Sequence, residues 1–232
     1  MSRKTIYFQH SFLFFAILLV LLFAVVALIF FGAVSIAFKN IGFTPLTIFL
    51  ILMGTLIGSF INIPVFKLKT TTPMIRDETV NWFGITYRIP QVEYGETITT
   101  VAVNVGGALI PTGVCVYLLL KSAPSLIFLC LVGVFAVAVL THAVARPVKG
   151  VGITTPIFIP PIAAAVLAII LSPAHAITIA YVSGVLGTLI GADLLNLRKI
   201  PKLGAPVASI GGAGTFDGVF LTGIIAVLLA GL

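Results

Sequence analysis

Charge is what this sequence has least of. Only 8% of its 232 residues are charged and 60% are hydrophobic, with a mean hydropathy of +1.26. A soluble domain carries about 25% charged residues. No soluble core of this length hides so much apolar surface, so the composition excludes a soluble globular protein and predicts an integral membrane protein. Cysteine is scarce as well. Cys115 and Cys130 both lie in apolar runs, which argues against a disulfide framework or a thiolate metal site and leaves two small core residues. His-Glu-x-x-His, Gly-x-Ser-x-Gly and P-loop patterns are all missing, which argues against zinc, serine-hydrolase and nucleotide chemistry. No cofactor and no metal is expected. The formal net charge of +7 would point to nucleic acid in a soluble protein. In a membrane protein the same lysines and arginines read as loop anchors, so no nucleic-acid partner is expected and membrane lipids are.

Long apolar runs are what is present. Seven segments read as spans of an all-α polytopic bundle forming one transmembrane domain: 12–38, 45–66, 98–120, 124–145, 155–171, 174–197 and 205–230. The first run follows Arg3 and Lys4 and exceeds the roughly 7–15 residues of a signal-peptide core. It therefore reads as an uncleaved span, with Ser35-Ile36-Ala37 the alternative cleavage site. Thr44-Pro45 reads as a helix cap with proline in the first turn, and Pro124 and Pro173 open later segments in the same way.

Arg3, Lys4, Lys67, Lys69, Arg76, Arg88, Arg146, Lys149, Arg198, Lys199 and Lys202 fall on one side of these spans; only Lys39 and Lys121 fall on the other. The positive-inside rule then predicts a multi-pass protein of the inner (cytoplasmic) membrane, N-terminus inside and C-terminus outside. The polar stretch 67–97 becomes a cytoplasmic loop. A short hairpin turning at Gly84 is one reading of it, an irregular interfacial loop the other.

Three places disturb a simple helical pattern: "NVGGALIPTG" in span 3, "GITTPIFIPP" at the start of span 5, and Gly211-Gly212-Ala213-Gly214 at the mouth of span 7. Irregular backbone at membrane depth must be buried in protein or line a wet cavity. Together these places suggest a central polar site, with Asn104 and the glycines among its candidates.

Acids are the rarest chemistry. Asp77, Glu78, Glu93 and Glu96 lie in the polar stretch, and only Asp193 and Asp217 lie within apolar spans. A charge at mid-membrane costs about 2.5–3.5 kcal/mol on insertion scales, so such residues are functional candidates by default. Spans 6 and 7 form an antiparallel hairpin that can bring the two acids face to face. Neighbouring carboxyls do not both ionise easily and so share a proton, the arrangement of an aspartyl protease. Two other readings stay open. Asp217 could pair with His142 or Arg146 as structural glue in a non-catalytic lipid-binding or scaffold protein, or both acids could carry protons or a cation in a transporter or channel. His142 and Arg146, four apart near the end of span 4, would share a helix face and could bind an anionic group or serve as an anchor. Gly212, Gly214 and Thr215 complete the candidate binding residues.

"NVGGALIP", "ARPVKGVGI", "GTLIGADLLNL" and "GGAGTFDGVFLTGI" together resemble an uncharacterised family of archaeal and bacterial membrane proteins, a domain of unknown function, over roughly residues 41–230. That likeness implies a prokaryotic source. Asp193 and Asp217 also resemble, more weakly, the catalytic pair of presenilin- and signal-peptide-peptidase-type intramembrane aspartyl proteases. Those enzymes place one Asp on an outward-to-inward span and the other in Gly-x-Gly-Asp on the next. Here Thr215 and Phe216 intervene between Gly214 and Asp217, Ala192 stands where a tyrosine precedes the first acid, and no Pro-Ala-Leu-Pro span follows. The likeness implies a transmembrane peptide as substrate, with Asp193 and Asp217 as the acid/base pair.

Overall fold

A computed structural model describes residues 11–82, 85–148, 152–203, 205–212 and 217–232. It is predominantly α-helical, with seven α-helices among the described residues: α1 (Ser11–Ile41), α2 (Pro45–Gly58), α3 (Ile110–Leu120), α4 (Pro124–Val144), α5 (Ile159–Leu171), α6 (Ala176–Thr188) and α7 (Gly218–Ala230). Three helical stretches are long and apolar enough to cross a membrane, Phe14–Ile41, Pro124–Val144 and Pro173–Ile200. Four shorter apolar helices pack with them, Pro45–Gly58, Val105–Leu120, Ile159–Leu171 and Gly218–Ala230.

Helix α6 is the axis. Its sequence, AITIAYVSGVLGT, is small and apolar all round, so most of its residues are buried and α4, α5 and α7 pack directly on it. Tyr181, Val182 and Val185 of α6 meet Phe220 of α7 and Phe38 of α1 in a continuous core. The other half of α1 behaves differently. Phe14, Leu19, Phe23 and Leu28 are more than 60% exposed, an apolar surface that suits lipid and not water.

Local chemistry sets the helix starts. Thr44 caps α2, its hydroxyl accepting from the Thr47 N–H at 3.4 Å, with Pro45 in the first turn. Pro124 opens α4, and Pro160 and Pro161 occupy the first turn of α5, where a missing N–H costs nothing. The irregular backbone expected around spans 3 and 5 is present and falls before the helices. A π turn, Val105–Leu109, leads into α3, and a short strand, Gly152–Thr154, precedes α5.

Three span boundaries are corrected. The α2 helix ends at Gly58, not residue 66; span 3 is helical from Val105, not 98; span 7 is helical only from Gly218. Of the displaced residues, 62–66, 98–104 and Val207–Ile210 are strands. A long antiparallel hairpin, β1 (Asn62–Trp82) with β2 (Ile85–Asn104), replaces the short hairpin or irregular loop. At about 3.4 Å per residue it extends roughly 70 Å. Gly84, the turn residue expected from the sequence, lies outside the described residues. A short strand β5 (Val207–Ile210) adds in parallel to β2, pairing Thr100 with Val207 and Val103 with Ile210. A second small ribbon joins β3 (Arg146–Val148) to β4 (Gly152–Thr154).

The bundle therefore has two ends. One carries the C-termini of α2, α4 and α6, the N-termini of α3, α5 and α7, and the sheet. The other carries the α1–α2 turn, the α3–α4 turn and the start of α6.

Candidate functional site

Asp193 is reached through a change in helix type. After Thr188 the α6 backbone widens into a π turn, Leu189–Asp193, and then tightens into a 3-10 helix, Leu194–Leu203. π turns cluster at functional sites because they turn side chains out of the regular helical order. This one aims the Asp193 carboxylate at β5, where Oδ2 accepts the Gly211 N–H at 2.7 Å. The partner found for Asp193 is a backbone amide, not a basic side chain.

Asp217 stands at the N-cap of α7 with extended backbone (φ −66°, ψ 172°), but its side chain makes no capping hydrogen bond. The carboxyl instead packs against Gly212, so closely that a Cβ on Gly212 would overlap it. Gly211 and Gly212 both adopt the left-handed conformation, at φ +80° and +86°, which glycine tolerates and side chains resist. Two successive glycines thus hold the two acids, one through its amide and the next through its missing side chain.

Both carboxylates line one cavity of about 550 Å³, together with Thr188, Ser209, Gly212 and Thr222. Thr188 is 2% exposed and its hydroxyl has no hydrogen-bond partner, an uncommon condition for a buried polar atom. Pro160, at the start of α5, also lines it. Asp193 and Asp217 are thus two of the residues around one concavity. Gly214 and Thr215 lie outside the described residues.

Asn104 supports this site without lining the cavity. It is fully buried at the β2–π junction. Its Oδ1 accepts the Gly107 N–H at 2.7 Å, and its Nδ2 donates to the Ser59 carbonyl at 2.7 Å and to Asn62 Oδ1 at 3.1 Å. Ser209 Oγ donates to the same Asn62 oxygen at 2.6 Å. Gly107, held in this way, lies so close to the Gly211 carbonyl that any side chain there would collide with it. A connected path runs from Asn104 through Gly107 and Gly211 to Asp193.

His142 and Arg146 do not share a helix face. Arg146 precedes Pro147, and a residue before proline avoids helical backbone, so α4 ends at Val144 and Arg146 sits exposed on β3. His142 is not placed as a counter-ion to Asp217. Its Nδ1 lies 3.3 Å from the Gly191 carbonyl and 3.2 Å from Asn196 Nδ2. Asn196 Nδ2 in turn donates to the Gly191 and Ala192 carbonyls at 3.1 and 2.9 Å. Both side chains brace the π turn that carries Asp193. Cys115 and Cys130 are free and buried, in keeping with their reading as core residues. No group of three or more His, Cys, Asp or Glu capable of holding a metal occurs among the described residues.

Sequence reasoning missed Thr188, Asn196 and Gly211. Thr188 and Asn196 read as ordinary helix residues, and no sequence signal marks a π turn. Gly211 was visible as one of a glycine run, without a reason to single it out.

Apolar helices around a recessed acidic cavity define a helical membrane protein. Residues 56–229 match the family described as protein of unknown function (DUF1614), and the chain belongs to that family. No curated protein and no solved structure matches, so the presenilin-type likeness rests on the residues alone.

Proposed function

We propose that the protein is a multi-pass enzyme of the cytoplasmic membrane that hydrolyses a transmembrane peptide with Asp193 and Asp217. The observation that carries this reading is the single cavity lined by both acids beside successive left-handed glycines. In such a pair one carboxyl is protonated and the other is not. The unprotonated carboxylate takes a proton from water as its oxygen adds to the scissile carbonyl. The protonated carboxyl gives its proton to the carbonyl oxygen. Collapse of the tetrahedral adduct breaks the C–N bond, and the leaving nitrogen takes up a proton. Thr188, with an unused hydroxyl in the same cavity, would orient the water.

The orientation follows the sorting of the cations. Lys67, Lys69, Arg146, Arg198 and Lys199 belong to segments at the acidic end of the bundle, and Lys39 and Lys121 to the other. With the N-terminus inside, the acidic cavity faces the cytoplasmic leaflet and the hairpin is cytoplasmic.

A second reading has the same acids carrying protons or a cation along a path beside the broken spans 3 and 5, favoured by the π turn before α3 and the late helical start of α5. One experiment separates the two. Wild type, Asp193→Asn and Asp217→Asn proteins are reconstituted in liposomes, incubated with single-span peptides and assayed for ion flux. Cleavage lost in both variants supports the hydrolase. Absent cleavage with acid-dependent flux lost in both variants overturns it in favour of transport. Neither activity overturns both readings and leaves the acids structural.

A further inference from the structure

The bundle end opposite the aspartates carries a second constellation, built from cations and aromatics. A cavity of about 430 Å³ opens between the α1–α2 turn, the α3–α4 turn and the start of α6, lined among others by Phe43, Tyr117, Lys121, Ser125 and His175. Lys121 Nζ lies 4.5 Å from the centre of the Tyr117 ring, and Phe43 stacks on that ring at 5.5 Å between centroids. The first turn of α4 faces the same space and begins at Ala123 without a side-chain cap. Phe43 has another side. It also walls an apolar groove of about 380 Å³ between α1 and α2, lined by Ser35, Ile36, Ile48, Phe49 and Leu52, with Lys39 among its lining residues. A polar, cationic cavity and an apolar groove therefore share one aromatic wall.

Charge selects the occupant. Among the described residues no acid lines either space. The chain's acids lie in the hairpin or at the far end, at Asp77, Glu78, Glu93, Glu96, Asp193 and Asp217. Two lysines with no acid paired to them among the described residues, an uncapped helix N-terminus and a lipid-facing groove suit a molecule with an anionic head and a long apolar tail.

We infer that these two spaces form a binding site for one anionic phospholipid, its phosphate between Lys39, Lys121 and the start of α4, and one acyl chain in the α1–α2 groove. The phosphate accepts from the lysine ammonium groups and the Ser125 hydroxyl. The tail replaces bulk lipid against Ile36, Phe49 and the buried Ile48 and Leu52. This site shares no residue with the aspartate cavity and stands whether or not the protein is a hydrolase.

The test is native mass spectrometry of the purified protein titrated with phosphatidylglycerol, with phosphatidylcholine and with glycerol phosphate as a chain-less probe. One phosphatidylglycerol should bind at least about tenfold more tightly than phosphatidylcholine. Lys39→Gln and Lys121→Gln should each weaken it about fivefold, the effect of removing one basic residue from an anionic lipid surface. Ser35→Phe, which fills the groove, should abolish lipid retention while the melting temperature holds, and Asp193→Asn should leave retention unchanged. Equal retention of the two lipids, or lysine variants that bind as wild type does, overturns the proposal. Glycerol phosphate binding as tightly as the lipid would also overturn it, reducing the site to a free-anion pocket.

Discussion

The contact between Gly107 and Gly211 gives the most demanding stability prediction. A Cβ at residue 107 would overlap the Gly211 carbonyl oxygen, lie 3.0 Å from the Gly211 carbonyl carbon and lie 3.3 Å from Asn104 Oδ1. Two of those three neighbours are backbone, so no rotamer change relieves the clash. Overpacking of a tight site costs about 1–3 kcal/mol. Moving Gly211 also strains its hydrogen bond to Asp193, and an intramolecular hydrogen bond contributes roughly 0.5–1.5 kcal/mol. Gly107→Ala should therefore lose about 3 kcal/mol. For a chain of this size that is a fall of roughly 6–12 °C in melting temperature. The matched control is Gly113→Ala in α3, where a Cβ would meet nothing within 4 Å. A helical glycine replaced by alanine in open space gains about 0.5–1 kcal/mol. Thermal melts of both variants in one detergent decide the matter. If Gly107→Ala melts with wild type, or falls no further than Gly113→Ala, the close approach is not there.

Asn104→Ala should cost about 2–4 kcal/mol, since it orphans the Gly107 N–H and the Ser59 carbonyl in a buried setting, and the same melts measure it. Asn196→Asp should destabilise more than Asn196→Ala, because a carboxylate would then face the Gly191 and Ala192 carbonyls. Arg146→Gln should change stability by less than about 0.5 kcal/mol, because the side chain is exposed on β3. In a chain with Cys115 and Cys130 replaced by alanine, a cysteine at Arg198 and one at Ser122 should label from opposite sides of sealed vesicles; labelling from one side contradicts the two-ended bundle.

The sequence made the helical membrane character plain, because no other state accommodates so few charges. The strand boundaries were harder. "INIPVF", "ITTVAV" and "VASI" are apolar and β-branched, and a hydropathy window reads them as the ends of spans although such residues favour strands. Pairing between β2 and β5 brings together residues about a hundred positions apart, which local pattern does not encode. The end of α4 was misread although a signal was there: Pro147 disfavours the helical backbone that would have put Arg146 beneath His142, and α4 stops at Val144. The two acids stood out because carboxylates are costly in apolar spans. Thr188 did not, because a threonine in a small-residue helix serves packing equally well. The bond from Gly211 to Asp193 depends on a π turn and two left-handed glycines meeting in space, and neither has a sequence pattern of its own.

The convergence of Asp193 and Asp217 on one glycine turn is the central claim, and cross-linking tests it most directly. Asp193→Cys and Asp217→Cys are combined in the chain lacking Cys115 and Cys130, and the membranes are treated with a short bifunctional thiol reagent. Intramolecular linkage should proceed to high yield, and either single variant should give none. If both thiols alkylate readily but no linkage forms, the two acids do not share a site, and the paired-carboxylate account is wrong.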